Sequence, residues 1–181
     1  AEYPDQKFAL VDMAVEQPNV ASLLFKANEG SFLLGVVAAN MSQSKKIGMI
    51  GGMDIPLIRD FFVGFEAGVK WANTGAEVLP GVFVGNWADP TKGKELAISL
   101  IDSGADIIWP SAGKSGLGAL EAVKERDVFG MGVDACQCYI NEKMLASMTK
   151  RVDIAVYETI KSAYDGTFQG GVLEKGVADG W

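Results

Sequence analysis

The sequence predicts an α/β fold in which mainly parallel strands alternate with helices. Three observations predict it: short apolar runs recur at regular intervals, amphipathic stretches of helical period fall between them, and glycine-rich or polar turns separate the two. With 49% hydrophobic and 22% charged residues among 181, the chain has an ordinary globular balance and enough apolar material for a sizeable core.

Phe8-Ala9-Leu10-Val11 is a short apolar run ending at Asp12, the pattern of a buried strand with a carboxylate at its C-terminal end. Ser31 to Met41 has helical spacing, with Phe32, Leu33, Val36, Val37 and Asn40 on the face expected to be buried. The short polar stretch Ser42-Gln43-Ser44-Lys45-Lys46 reads as a crossover between structural units. Ile47 to Ile50 is then a strand and Gly51-Gly52-Met53 a turn, after which Asp54 is placed to cap a helix with Pro56 in its first turn. Leu57, Ile58, Phe61, Phe62, Phe65 and Val69 share one face of that helix and read as core, not as a cofactor box. Val78 to Val84 is a strand made irregular by Pro80.

The beat continues to the end of the chain. Leu96, Ala97, Leu100 and Ile101 mark a helix, Asp106 to Trp109 a strand, Leu117 to Val123 a helix, and Val128 to Val133 a strand ending at Asp134. A last helix runs from about Arg151 to Tyr164 and stops at Asp165-Gly166, and the glycine-rich tail to Trp181 has room for one more strand.

Composition narrows the chemistry. The chain has no histidine, which removes the commonest general base and metal ligand, and every Ser/His/Asp or Cys/His triad. A formal charge of -7 with no basic stripe argues against a nucleic-acid partner. Cys136 and Cys138 form a C-x-C pair that reads as structural or free thiols, too close for a relaxed disulfide and short of the ligands a structural zinc needs. The longest apolar run, Phe32 to Ala39, falls far short of the ~20 residues that span a bilayer. The start, Ala1-Glu2-Tyr3-Pro4-Asp5, lacks the charged and apolar regions of a secretion signal, so a signal or lipid anchor is expected outside this chain.

In open α/β sheets ligands bind at the carboxyl ends of strands, where loops and helix N-termini present unpaired groups. That rule selects Asp12, Gly51 to Asp54, Trp87, Ala112 to Ser115 and Asp134. Two phosphate motifs fail. Gly113-Lys114-Ser115 mimics the end of a Walker A loop, but the required first glycine falls at Ile108. Gly116-Leu117-Gly118 is followed by Glu121 where a dinucleotide fingerprint needs glycine or alanine. No pair of carboxylates stands out for acid/base work. The remaining loop set of one aromatic, carboxylates, an ammonium and bare backbone suits reversible binding of an uncharged polar ring compound, with no catalytic residue, metal or cofactor.

Lys46-Ile47-Gly48-Met49-Ile50-Gly51-Gly52-Met53-Asp54-Ile55-Pro56-Leu57, with Phe61 and Val63 to Gly68 after it, resembles a signature of the basic membrane protein family. Further echoes are Asn86 to Pro90 with Lys92-Gly93-Lys94, Gly104 to Ile108, Ala112-Gly113 with Gly116-Leu117-Gly118, Gly132-Val133-Asp134, and Ser147 to Asp153 with Val156-Tyr157. The resemblance covers nearly the whole chain. It implies a two-lobed fold of the type I periplasmic-binding kind, lacking an N-terminal part and a short C-terminal segment. Residues 1–45 would belong to lobe 1, 46–146 to lobe 2, 147–170 to a return segment and 171–181 to a tail with a crossover strand. The implied function is a non-enzymatic, extracytoplasmic receptor, in the periplasm or on the cell surface and lipid-anchored, that captures purine nucleosides between its lobes for an ABC permease and ATPase.

By the same resemblance Trp87 stands where an aromatic stacks on the base, Gly113 offers close backbone, and Asp134 and Lys150 hold the ribose, with Asp12 as a further candidate. Cys136, Cys138 and Lys114-Ser115 depart from the family pattern. Each residue also has a plainer reading: Trp87 covering the sheet end, Asp134 capping a turn, Lys150 a solvated cation at a helix start, Asp12 a turn or hinge hydrogen bond. Two other functions are weighed: a flavodoxin-like or Rossmann enzyme using flavin or nicotinamide nucleotides, and a regulatory or surface protein that kept the fold without import.

Overall fold

The computed structural model describes residues 2–181 and runs β1 (Phe8–Val11), β2 (Val20–Phe25), α1 (Ala27–Met41), β3 (Lys46–Gly51), α2 (Pro56–Ala72), β4 (Glu77–Val78), β5 (Val82–Phe83), α3 (Pro90–Asp102), β6 (Ile107–Ser111), α4 (Lys114–Glu125), β7 (Phe129–Asp134), β8 (Met144–Thr149), α5 (Val152–Tyr164) and β9 (Gly171–Lys175). Local chemistry sets several boundaries. Pro56 opens α2, whose end is turned by Asn73 in the left-handed conformation (φ 51°). Pro90 opens α3 after Asp89, whose carboxylate accepts from the Lys92 N–H at 2.9 Å. Pro80 splits the expected strand at Val78 to Val84 into β4 and β5. Asp54 does not cap α2: Ile55 holds that position, and Asp54 instead pairs with the Arg59 guanidinium.

The chain divides into two compact units, one made of the chain up to Lys26 with Lys150–Trp181, the other of Ala27–Thr149. The first carries a parallel sheet in the order β1-β2-β9, with Ala21, Leu23, Phe25, Ala155 and Trp181 buried together. The second carries a parallel sheet in the order β4-β3-β6-β7-β8, with β5 also paired to β3. Two core layers cover its faces. Phe61, Phe65 and Ala38 of α2 and α1 pack with Met49 and Trp109 on one face, and Ala97, Leu100 and Val123 of α3 and α4 pack with Ile50 and Ile108 on the other. This is a doubly wound arrangement. The units part between Lys26 and Ala27, not at residue 45, because α1 packs on α2; Ser42 to Lys46 is the link from α1 to β3 within one unit.

The buried face of α1 is also not the one its large residues suggest. Leu33 and Val37 are exposed, and Ala27, Ser31, Leu34, Gly35, Ala38 and Ala39 face inward. Small residues win because the backbones of α1 and α2 nearly touch. A Cβ on Gly35 would lie 2.2 Å from the Phe65 carbonyl oxygen, one on Gly64 2.2 Å from that of Asn28, and one on Gly68 2.0 Å from that of Phe32. On the opposite face α3 and α4 use the same device: a Cβ on Gly118 would lie 1.8 Å from the Pro90 carbonyl oxygen and one on Gly93 2.0 Å from that of Ser115.

Asp106 ties the α1–β3 link down. Its carboxylate accepts from the Ser42 hydroxyl (2.7 Å) and from the N–H groups of Gln43 (2.6 Å) and Ser44 (2.8 Å). Burial pushes this carboxyl up, but the hydrogen bonds from Ser44, Ser42 and Gln43 outweigh it and hold the group below its ordinary value.

Two outcomes follow from this packing. Gly68→Ala would stabilise a free helix by about 1 kcal/mol, yet here it should destabilise the protein by about 1–3 kcal/mol in urea titration, because two backbones must part; a gain in stability would mean that α1 and α2 do not touch there. Asp106→Asn removes the charge. Since the folded pKa is depressed, the parent's advantage is present above the unfolded value of about 4 and is lost as pH falls through the folded one. The parent should unfold at higher temperature than Asp106→Asn at pH 7, with the gap closing in acid; a gap independent of pH would refute the charge-based account.

Candidate ligand-binding site

In the second unit the chain passes from β3 outward to β4 and β5 and then returns to β6 on the other side of β3. The helices after β3 and β6 therefore leave on opposite faces, and the strands' carboxyl ends frame a crevice at this switch point. Gly52 follows β3, Ala112 and Gly113 follow β6, and the loop after β5 brings Trp87 to both. A Cβ placed on Gly52 would meet the indole atoms Cε3 and Cζ3 at 2.3 and 2.4 Å, so the benzo ring rests on bare backbone. Gly113, at φ 57°, carries the chain into α4 beside the same ring and the Trp87 carbonyl. Trp87 remains 42% exposed, so the indole keeps solvent-facing surface while its benzo ring is seated.

Ser115 fixes this loop. Its N–H donates to the Trp87 carbonyl (3.1 Å), its hydroxyl donates to the Asn86 carbonyl (2.7 Å), and the Asp89 N–H donates to that hydroxyl (2.8 Å). Ser115 thus does structural work in the Gly-Lys-Ser triplet. Ser111, the last residue of β6, is buried, and its hydroxyl has no hydrogen-bond partner among the described residues. Sequence reading passed over it, since a serine inside an apolar strand carries no motif.

Asp134 ends β7 in the left-handed conformation (φ 64°), exposed, and aligned in register with Thr149 of β8. Beyond it the turn is pinned by Gln137, whose side-chain oxygen accepts from the Val133 N–H (2.9 Å) and whose own N–H donates to the Ser147 hydroxyl (3.0 Å). Cys136 and Cys138 flank Gln137 and are disulfide-bonded, which corrects their reading as thiols. The turn sets their Cα atoms 5.6 Å apart, within the span a disulfide bridges.

The first unit brings Asp12 and Lys150 together although 138 positions separate them. Asp12 follows β1 at φ 61°, its N–H donates to the Leu23 carbonyl (3.0 Å), and its Oδ2 accepts from Lys150 Nζ at 2.7 Å. Lys150 is buried and its ammonium also lies 5.5 Å from the centre of the Phe25 ring. A buried ammonium is tolerable only when paired, so the plain reading of Lys150 as a solvated cation does not hold. Asp12 Oδ1 is buried with no hydrogen-bond partner among the described residues. Phe25 was not singled out by sequence, because an apolar residue in an apolar run signals only core.

No group of three or more potential metal-ligating histidine, cysteine, aspartate or glutamate residues occurs among the described residues, and no helix there is long and apolar enough to cross a membrane.

A family model described as ABC transporter substrate-binding protein PnrA-like matches residues 1–180. The chain is 36% identical to an uncharacterized lipoprotein of Pyrococcus horikoshii, covering 98% of this chain and 48% of the relative, and 34% identical to basic membrane protein A of Borreliella burgdorferi, covering 94% and 52%. The crystal structure of an ABC transporter solute-binding protein from Aeropyrum pernix superposes with a TM-score of 0.90 at 35% identity, covering 99% of this chain and 54% of that one. The chain thus spans about half the length of these proteins. The family is one of solute-binding proteins and not of enzymes. On sequence and fold alike, this chain belongs to the basic membrane protein family of ABC transporter substrate-binding proteins.

Proposed function

We propose that the protein containing this chain is an extracytoplasmic receptor that captures purine nucleosides for an ABC importer, handing them to a permease driven by an ATPase, and is held at the membrane by a lipid anchor. The observation that carries the reading is the seat of Trp87: an indole on bare backbone in the crevice at the strand ends, with solvent-facing surface left over. A partly exposed ring held in place suits a flat, apolar-faced ligand. The polar groups suit hydroxyls. Asp134 is a carboxylate at the carboxyl end of β7, and in the other unit Asp12 Oδ1 is a desolvated acceptor lacking a donor, beside the Lys150 ammonium. In this reading, within the second unit Asp134 accepts from ribose hydroxyls and Gly113 gives the base close backbone; in the first unit Lys150 and Asp12 are the proposed polar contacts to a ligand's oxygens and hydroxyls. The formal charge of -7 disfavours phosphorylated forms, which favours nucleosides over nucleotides.

Adenosine, guanosine or inosine should raise the melting temperature of the full-length protein, and free ribose or the matching monophosphates should do so far less. At ~100 times the dissociation constant the gain is about 2.7 kcal/mol. Stabilisation by amino acids or sugars, with none by purine nucleosides, would replace the substrate class.

Calorimetric titration of the Trp87 variants tests the stack itself. Trp87→Ala should weaken nucleoside binding about 5- to 150-fold, the range for losing one base–aromatic stack, and Trp87→Phe should cost much less because a ring face remains. Equal affinity in all three proteins would show that Trp87 only covers the sheet end.

A further inference from the structure

We infer that Gly52 is a positioning residue for ligand binding: its missing side chain is the space into which the Trp87 indole settles. The inference rests on the proposed stacking role of Trp87 and asks what holds that ring at its angle. Gly52 is buried, and its φ lies outside the left-handed region, so its backbone would accept an alanine without strain. What excludes a side chain is contact. A Cβ would fall 2.3 and 2.4 Å from indole Cε3 and Cζ3, far inside van der Waals distance, whereas the next neighbour, the Cα of Ala112, is 3.2 Å away. Neighbouring glycines are explained differently. A Cβ on Gly51 would strike Phe83 and Ile58, and Gly113 sits at φ 57°, where its own Cβ would clear the ring by 3.6 Å.

The seat cannot withdraw to make room. The Gly52 N–H donates to the Ser111 carbonyl (3.0 Å), and its carbonyl accepts from the N–H groups of Gly85 (2.8 Å) and Asn86 (3.1 Å). The backbone of Trp87 is fixed as well, by the Ser115 N–H on its carbonyl at 3.1 Å. With both main chains clamped, an added methyl is accommodated by rotation of the indole toward its exposed side. Rotation takes the ring out of the plane in which it would stack. Gly52 therefore sets the ring's orientation without touching the ligand.

A double-mutant cycle on the full-length protein tests this, read by nucleoside affinity and by fluorine NMR of fluorotryptophan-labelled protein, with the Trp87 signal assigned from Trp87→Phe. Gly52→Ala alone should weaken binding about tenfold, within the range for a spoiled stack. It should also move the Trp87 resonance while leaving that of Trp109, buried in the core of the same unit, in place. In the Trp87→Ala background the cavity left by the indole takes the methyl, so Gly52→Ala should cost nothing further. If Trp87→Ala weakens binding but Gly52→Ala does not, or if the two losses add, Gly52 does not act through Trp87 and this inference falls while the stacking reading stands. If Trp87→Ala itself leaves affinity unchanged, the stacking reading falls and this inference with it.

Discussion

Main chain pressed against main chain, at positions where no side chain intervenes, is the constraint on which the second unit depends. Gly35, Gly64 and Gly68 let α1 lie on α2, and Gly93 and Gly118 let α3 lie on α4, so each face of the sheet is covered by a tightly joined helix pair. Close approach maximises dispersion contacts between helices and leaves the large apolar side chains of α2, Phe61 and Phe65 above all, free to turn inward against Trp109. The same economy recurs at the strand ends, where Gly52 admits an indole instead of a helix. Both the frame and the candidate site thus rest on what is absent at particular positions: an added methyl would force backbones apart in the frame and turn the indole at the site.

Much of this was legible in the sequence, and the reasons it was legible mark where legibility stops. The aromatic stripe of α2 has its helical period and Pro56 in the first turn in agreement, and the structure buries Ile58, Phe61, Phe62, Phe65 and Val69 as expected, with Leu57 partly buried and Ile55 in place of Asp54 at the cap. The face of α1 was misjudged because hydrophobic periodicity ranks side chains by apolar bulk, while a helix crossing at backbone distance selects for smallness; Leu33 and Val37 stay outside and Gly35 and Ala38 go in. Strands β2 and β8 were passed over. The first is an apolar run interrupted only by Ser22 and buried nearly throughout, and in the second most residues are only half-buried, so neither shows a period of two. Trp87, Gly113, Asp134 and Asp12 are selected as candidates because a strand end is a local feature of sequence. The pairing of Asp12 with Lys150 is not, since it joins residues 138 positions apart, and no local pattern encodes that distance.

That pair changes how Lys150 is to be understood. An isolated ammonium buried to this degree would be costly, and Asp12 Oδ2 at 2.7 Å, with the Phe25 ring near by, makes it tenable. The carboxylate is nevertheless only half satisfied, since Oδ1 is shut off from solvent without a donor. Buried acceptors left in this state cost stability. In the proposed reading the ligand brings that donor. Removing Asp12 or Lys150 would then leave the other charge without this partner and cost stability.

The Gly113-Lys114-Ser115 triplet shows why resemblance to a phosphate loop does not make one. A phosphate cradle needs N–H groups at a helix N-terminus that nothing in the protein has claimed. Here the Ser115 N–H is taken by the Trp87 carbonyl and the Gly116 N–H by the Gly113 carbonyl, while the Ser115 hydroxyl is spent on the Asn86 carbonyl. The hydrogen bonds that would have gripped an anion hold a tryptophan loop instead. An amide that points at a carbonyl of its own chain cannot also point at a phosphate, so the N–H groups of Ser115 and Gly116 are committed within the chain. The start of α4 is thus spent on holding the Trp87 loop, and in the proposed reading that loop presents a ring to the ligand.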